Sequence, residues 1–296
     1  MIVDKRKERI SSIIIHSFFI LLSCVFIFPI LSVVFISLTS ETSISTEGYP
    51  FFFREIDWSA FRFVLKNPTT ILRSYKVTAI VSFGGTLLYL LSASMAAYAI
   101  SRPDFRFRRS ITFFFFFTML FNGGLVPSYI LITQVLDLKN TYAAMICPLL
   151  VNAWYLIMLR TFMREIPNEI IESAHMDGAG NWMIYYKFVL PLSKPALATI
   201  GLLTLLDYWN SWQPAMLYID DKDLYPLQYL LQVMLRNMME ILKNMNNGVT
   251  VSLTEQLPSE GARMAMCVLA VGPMLFIFPF FQKYFTRGLT VGAVKG

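Results

Sequence analysis

The chain has 296 residues, 56% of them hydrophobic and only 15% charged, with a formal net charge of +6. A soluble domain carries about 25% charged and about 45–50% apolar residues, so this composition excludes an ordinary globular domain. It points to an all-α protein that crosses a membrane several times. The basic residues sit at the ends of apolar runs rather than along one face, which argues against nucleic-acid binding.

Lys5, Arg6 and Lys7 precede an uncharged run from Ile10 to Ser40. The stretch 21-LLSC-24 faintly resembles a lipoprotein cleavage box, but the apolar run continues through VFIFPILSVVFISL. A signal peptide would turn polar after an apolar core of about 7–15 residues, so a retained first span is expected. Crossing the hydrocarbon core takes about 20 apolar residues. Six stretches qualify, at 11–39, 77–100, 111–135, 141–159, 196–219 and 264–284. The runs are continuous rather than alternating, which predicts helices and not barrel strands. Spans three and four are joined by 136-LDLKN-140 and should form a tight hairpin. Asn122, Gly123, Gly124 and Pro127 interrupt span three, where they either make a packing kink or line a cavity.

The next segment, 164-REIPNEIIESAHMDGAGNWMIYYKFVLPLSKPALA-198, is long and polar for so apolar a chain. Pro167 suits a first helical turn and Asn168 is a candidate cap. Glu169 and Glu172 then lie near the positive end of the helix dipole. Ile170 and Ala174 share a face, as do Ile171 and His175. Gly178 and Gly180 permit the left-handed geometry that ends a helix. Asn181 can cap a second helix, which Pro191 should stop. The expectation is helix, elbow, helix, a compact knob for a partner's cleft or an ordinary connection.

Span five reads 201-GLLTLLDYWNSWQPAMLYI-219. An ionisable residue at membrane depth is costly and faces a cavity or a partner. Asp207 and Asn210 lie three residues apart, and Tyr208, Trp209 and Trp212 supply aromatic faces. Such a set suits sugars, which offer apolar C–H faces and many hydroxyls. The alternative is an interhelical hydrogen bond from Asp207 and an interfacial tryptophan belt. In 226-PLQYLLQVMLRNMMEILKNM-245, Leu227, Leu231, Met234, Met238 and Leu242 recur at helical spacing. This stretch is expected to lie on the outer membrane face or to dock a partner.

Orientation follows from Lys and Arg. Segments 1–10, 101–110, 160–194 and 283–296 hold fifteen of them; segments 40–76, 136–140 and 220–263 hold ten, in more residues. Both termini are therefore expected inside. Cys24, Cys147 and Cys267 lie in apolar runs without metal-ligand spacing, so no metal site or disulfide framework is expected. There is no GxxxxGK[ST] loop, no GxSxG and no HExxH, and the two histidines are His16 and His175. The chain should hold no catalytic residues and bind no cofactor of its own.

The pattern Glu172-x-Ala174-xxx-Gly178, followed after eleven residues by Leu190-Pro191, resembles the EAA loop of ATP-binding-cassette importer permeases. Ser173 replaces the usual Ala and Phe188 an aliphatic residue. Asp177-Gly178-Ala179 with Pro195 is similar to the carbohydrate-uptake branch. The segments 96-AAYAISR-102, 121-FNGGLVP-127 and 284-YFTRGLTVGAVKG-296 resemble the second permease subunit of oligosaccharide importers. The likeness spans nearly the whole chain.

It implies a type I importer permease fold, a single six-span domain over 1–296 in the bacterial cytoplasmic membrane. It also implies partners: a homologous permease, two copies of a cytoplasmic ATPase that holds ATP and Mg, and an extracytoplasmic binding protein that delivers sugar. On this resemblance Glu172, Ser173, Ala174, Asp177, Gly178, Ala179, Leu190 and Pro191 form the ATPase-coupling loop, and the tail Gly288–Gly296 also touches the ATPase. Asp207, Tyr208, Trp209, Asn210, Trp212 and Asn122 are the candidates for the substrate path. A permease for a non-sugar solute and a stand-alone ion-coupled transporter remain alternatives.

Overall fold

The computed structural model describes residues 5–49, 52, 56–246 and 259–293. Residues 294–296 of the tail assigned to ATPase contact lie outside them. The chain divides into two compact units, Met1–Pro68 with Met234–Gly272 and Thr69–Val233 with Pro273–Gly296.

In the first unit, α1 (Lys5–Ser37) leaves its apolar side chains bare, with Phe18 59% and Phe26 69% exposed. A helix that is apolar all round and unburied has lipid as its natural solvent. Ser40 caps α2 (Glu41–Glu47) by accepting from the Ser43 N–H at 3.3 Å. Helix α3 (Ser59–Val64) follows. The Glu41 carboxylate accepts from the backbone N–H groups of Glu260 and Gly261, each at 3.2 Å. Those groups open the C-terminal helix Ser259–Ala293, so a negative charge sits at its positive end.

The second unit is built on α4 (Pro68–Ser101), whose 34 residues extend about 50 Å at 1.5 Å per residue. Next come α5 (Arg108–Leu120) and α6 (Leu125–Ile130), the latter running into a π-helical turn at Leu131–Val135. Then α7 (Tyr142–Ile146) ends in a 3-10 turn at Cys147–Leu149 before α8 (Ala153–Arg164). Helices α9 (Asn168–Met176), α10 (Asn181–Ile184) and α11 (Leu190–Leu192) build the polar segment. Helices α12 (Lys194–Asn210), α13 (Gln213–Tyr218), α14 (Leu227–Asn246) and α15 (Ser259–Ala293) complete the series.

Three apolar runs are unbroken helices, Ser11–Ser37, Pro68–Ser101 and Glu260–Phe280. The other three are bent pairs: Arg108–Leu120 with Leu125–Val135 at 114°, Tyr142–Leu149 with Ala153–Arg164 at 57°, and Asn181–Leu192 with Lys194–Asn210 at 76°. Each pair counted as one span gives up to six crossings. The first bend is far larger than a packing kink. Gly124 has φ +91°, and the Asn122 side chain accepts from the Gly124 N–H at 2.9 Å, an Asx turn that ends α5. The fifth predicted run also breaks: α12 ends at Asn210, and α13 begins at Gln213.

The 136–140 connection turns through two left-handed residues, Asp137 (φ 48°) and Asn140 (φ 57°). Asn140 accepts from the Asp220 and Asp221 N–H groups at 2.6 and 3.1 Å and donates its own N–H to the Tyr218 carbonyl at 3.0 Å. Lys139 pairs with Asp220 at 2.7 Å, and that hydrogen bond raises the Lys139 pKa above the ordinary lysine value.

The amphipathic stretch at 226–245 is α14, with Met234 half-buried and Met239 53% exposed. Leu227, Leu231 and Met238 are buried. Tyr208 shows how tight the interior is. It is 1% exposed, its OH donates to the Ile146 carbonyl at 2.9 Å, and a Cβ on Gly85 would stand 2.5 Å from its ring.

Candidate functional site

The polar segment after α8 folds as a helix and an elbow. Pro167, with no side-chain cap, precedes α9, so Asn168 is the first helical residue and not the cap. Glu169 lies in the first turn, where its charge complements the dipole. Ile171 and Ala174, three residues apart, form the buried face, while Ile170 is half-buried and His175 exposed. They join Tyr89, Ala97, Leu159, Met163 and Ile184 in one apolar cluster, which fixes the segment to the ends of α4 and α8.

The helix closes by a Schellman motif. The Gly178 N–H donates to the His175 carbonyl at 3.0 Å, and the Ala179 N–H to the Ala174 carbonyl at 2.9 Å. Gly178 has φ +80°, which only glycine adopts at no cost. A methyl there would meet nothing within 4 Å, so the requirement is conformational and not steric. Gly180, rather than Asn181, precedes α10.

The second helix ends one residue past Pro191, at Leu192. A π-helical turn at Tyr185–Val189, closed by the Leu190 N–H donating to the Tyr185 carbonyl, precedes the proline. That wider turn accommodates a ring that would clash with the carbonyl four residues back. The chain then breaks at Ser193 and bends by 76° into α12.

What faces outward is a mixed surface. Glu172, Ser173, His175, Asp177 and Gly178 are exposed, Met176 is 89% exposed and Trp182 66%. Glu172 and Asp177 make no ion pair among the described residues. Glu172 and His175 border a cleft of about 240 Å³ with Tyr98, Arg102 and Asn181. Leu190 is half-buried and Pro191 exposed, so these two shape the turn into α12.

Two arginines hold the supporting helix ends by exchange. Arg102, 8% exposed, donates to the Met163 carbonyl at 3.0 Å, and Arg160 donates to the Ile100 carbonyl at 3.1 Å. Each satisfies a carbonyl near the end of the other's helix, where intrahelical partners run out. Arg102 also lies over the Tyr98 ring, 5.4 Å from its centre. Burial lowers its pKa from the ordinary arginine value.

The second candidate set divides across α12. Asp207 and Asn210 are exposed on one face; Tyr208 and Trp209 are buried at 1% and 4%. Trp209 packs with Leu205 and Met274, and Trp212 sits half-buried beside Tyr218 and Ala215. Tyr208 and Trp209 are thus packing residues within this chain, and their rings offer no open face to a ligand. Asn122 is engaged in its own turn. The structure adds two residues the sequence reading missed. The Tyr155 hydroxyl donates to Asp207 at 3.0 Å, and the Gln228 amide donates to Asn210 at 3.3 Å. Tyr155 could have been found from Asn152, which caps α8 three residues earlier at a break in the apolar run. Gln228 could not, because nothing local places α14 beside α12. Among the described residues no His, Cys, Asp and Glu cluster could hold a metal ion.

Long apolar helices with bare side chains and a polar elbow seated on their ends define the class: a multi-pass membrane protein. The chain belongs to the family of binding-protein-dependent transport system inner membrane components, whose model matches residues 89–291. It is 32% identical over 293 residues to the polygalacturonan/rhamnogalacturonan transport system permease protein YtcP of Bacillus subtilis (strain 168), covering 98% of this chain and 100% of that one. It is 27% identical over 300 residues to the trehalose/maltose transport system permease protein MalG of Thermococcus litoralis, covering 98% and 99%. Among solved structures it matches a chain of a bacterial ABC transporter involved in the import of the acidic polysaccharide alginate. There the TM-score is 0.80 at 29% identity, over 96% of this chain and 100% of that one.

Proposed function

We propose that this chain is one of two permease subunits of an ATP-driven carbohydrate importer, and that α9 with its elbow is the surface that receives the ATPase. The observation that carries this reading is the division of α9. Ile171 and Ala174 anchor it, while Glu172, Met176 and Asp177 project without partners. A rigidly seated helix with an unpartnered outer face can transmit a push or pull as rigid-body motion of the helices below it. On this reading the elbow and both termini face the cytoplasm, in the bacterial cytoplasmic membrane. ATP and Mg are held by two copies of the partner ATPase, and an extracytoplasmic binding protein brings the sugar.

The open face of α12, with Asp207, Asn210, Tyr155 and Gln228, is the contribution of this subunit to the path. One match is described as importing the acidic polysaccharide alginate and another as transporting polygalacturonan and rhamnogalacturonan, so an oligosaccharide bearing uronate groups is the first substrate to test. The assay is ATP-dependent uptake into vesicles carrying the whole complex, with acidic and neutral oligosaccharides, peptides and phosphate as competitors. Competition by oligosaccharides alone supports the reading. Competition by peptide or phosphate replaces the cargo, and ion-driven uptake by this chain alone overturns the class of mechanism.

A further inference from the structure

Helices α5 and α8 leave a cleft of about 530 Å³ between them. Arg108 and Arg109 from the start of α5 meet Arg160 and Arg164 from the end of α8 along its walls. Arg160 and Arg164, four residues apart, lie on the same side of α8. Among the described residues no carboxylate pairs with any of the four. Like charges gathered without a counter-charge raise the free energy of the fold unless an anion joins them. No side chain caps the start of α5, so the positive end of that helix is directed at the same place.

The cleft also has a polarity. Phe113 and Phe116, one and two turns along α5, and Ile157, two turns back along α8, line it as well. Phe113 is 67% and Phe116 49% exposed. The cleft is therefore basic at one end and apolar at the other, along helices that run into the membrane. A free phosphate would use the first end only, and a nucleic acid or acidic peptide would leave the second bare.

We propose that the α5–α8 cleft binds an anionic phospholipid, its phosphate held by Arg108, Arg109 and Arg164 and its acyl chain lying over Phe113, Phe116 and Ile157. This site is separate from the surface assigned to the ATPase and does not depend on the identity of the cargo. Arg160 supports the cleft while its Nε remains bonded to the Ile100 carbonyl.

The test is native mass spectrometry of the intact transporter, released from nanodiscs that mix phosphatidylglycerol with phosphatidylcholine. The natural protein should retain phosphatidylglycerol over phosphatidylcholine, and millimolar inorganic phosphate should not displace it. The triple variant Arg108→Gln, Arg109→Gln, Arg164→Gln should retain it about a hundredfold less, since each arginine near an anionic surface contributes about 1 kcal/mol. The single variant Phe113→Ser, which keeps every charge, should also weaken retention. Equal retention of the two lipids by the natural protein overturns the proposal, as does displacement by phosphate. Loss of a protein subunit from the triple variant with lipid retention unchanged overturns it too, and assigns the arginines to a protein contact.

Discussion

Gly178→Ala isolates one physical effect at the elbow. The added methyl meets nothing within 4 Å, so no contact is gained or lost. What changes is the cost of holding φ at +80°, about 1–2 kcal/mol for an L-residue in the left-handed region. If the docking-competent elbow is the conformation that the Schellman bonds from Gly178 and Ala179 define, its population relative to opened forms falls by about 5- to 30-fold. Gly178→Asn is the matched control, because asparagine visits that region more readily while adding a larger side chain. ATP-dependent uptake and ATPase co-purification should fall for Gly178→Ala and fall less for Gly178→Asn, with membrane insertion of both unchanged. A larger loss for Asn than for Ala would refute the conformational reasoning and make the surface itself, not its turn, the determinant. Gly178→Asp adds charge to the elbow and should abolish both readouts.

Glu172→Lys reverses an exposed, unpaired charge and should remove transport and ATPase association without lowering the amount of protein in the membrane. Gly85→Ala forces a methyl against the Tyr208 ring, which is held by its bond to the Ile146 carbonyl; overpacking of this kind costs about 1–3 kcal/mol, read as a lower thermal midpoint. Tyr155→Phe removes the hydrogen bond to Asp207 and should raise the substrate concentration for half-maximal uptake while leaving ATPase association intact. The raised pKa of Lys139 makes its tie to Asp220 fully present below the unfolded lysine value of about 10.4 and lost as pH rises through the folded value. Thermal unfolding should therefore show no Lys139-dependent change between about pH 6 and 9, compared with Lys139→Met.

The unbroken spans were legible because α1, α4 and α15 are runs long and apolar enough to cross by themselves. The bends were not, because hydropathy records how apolar a run is and not which way it travels. The 114° turn at Asn122–Gly124 lies inside a run that reads as one span. The elbow was legible from Gly178, whose φ the sequence anticipated, but both caps fell one residue earlier, at Pro167 and Gly180. Asn168 and Asn181 are good capping residues, yet tertiary packing of Ile171 and Ile184 sets where each helix starts. Pro191 marked the helix end to within one residue: a π-helical turn ahead of it accommodates the ring, and the helix stops at Leu192. Asp207 and Asn210 separate from Tyr208 and Trp209 by helical phase alone, so that division was available from spacing. Their partners Tyr155 and Gln228 come from distant parts of the chain and were not.

The central claim is that α9 and its elbow touch the ATPase. Met176, 89% exposed at the end of α9, is the most direct place to ask. A photo-crosslinking amino acid at position 176, in the complex as it stands in the membrane, should capture the ATP-binding subunit. The same probe at Phe19, exposed midway along α1, should capture none of it. Capture of that subunit from position 19 but not from 176 would contradict the account.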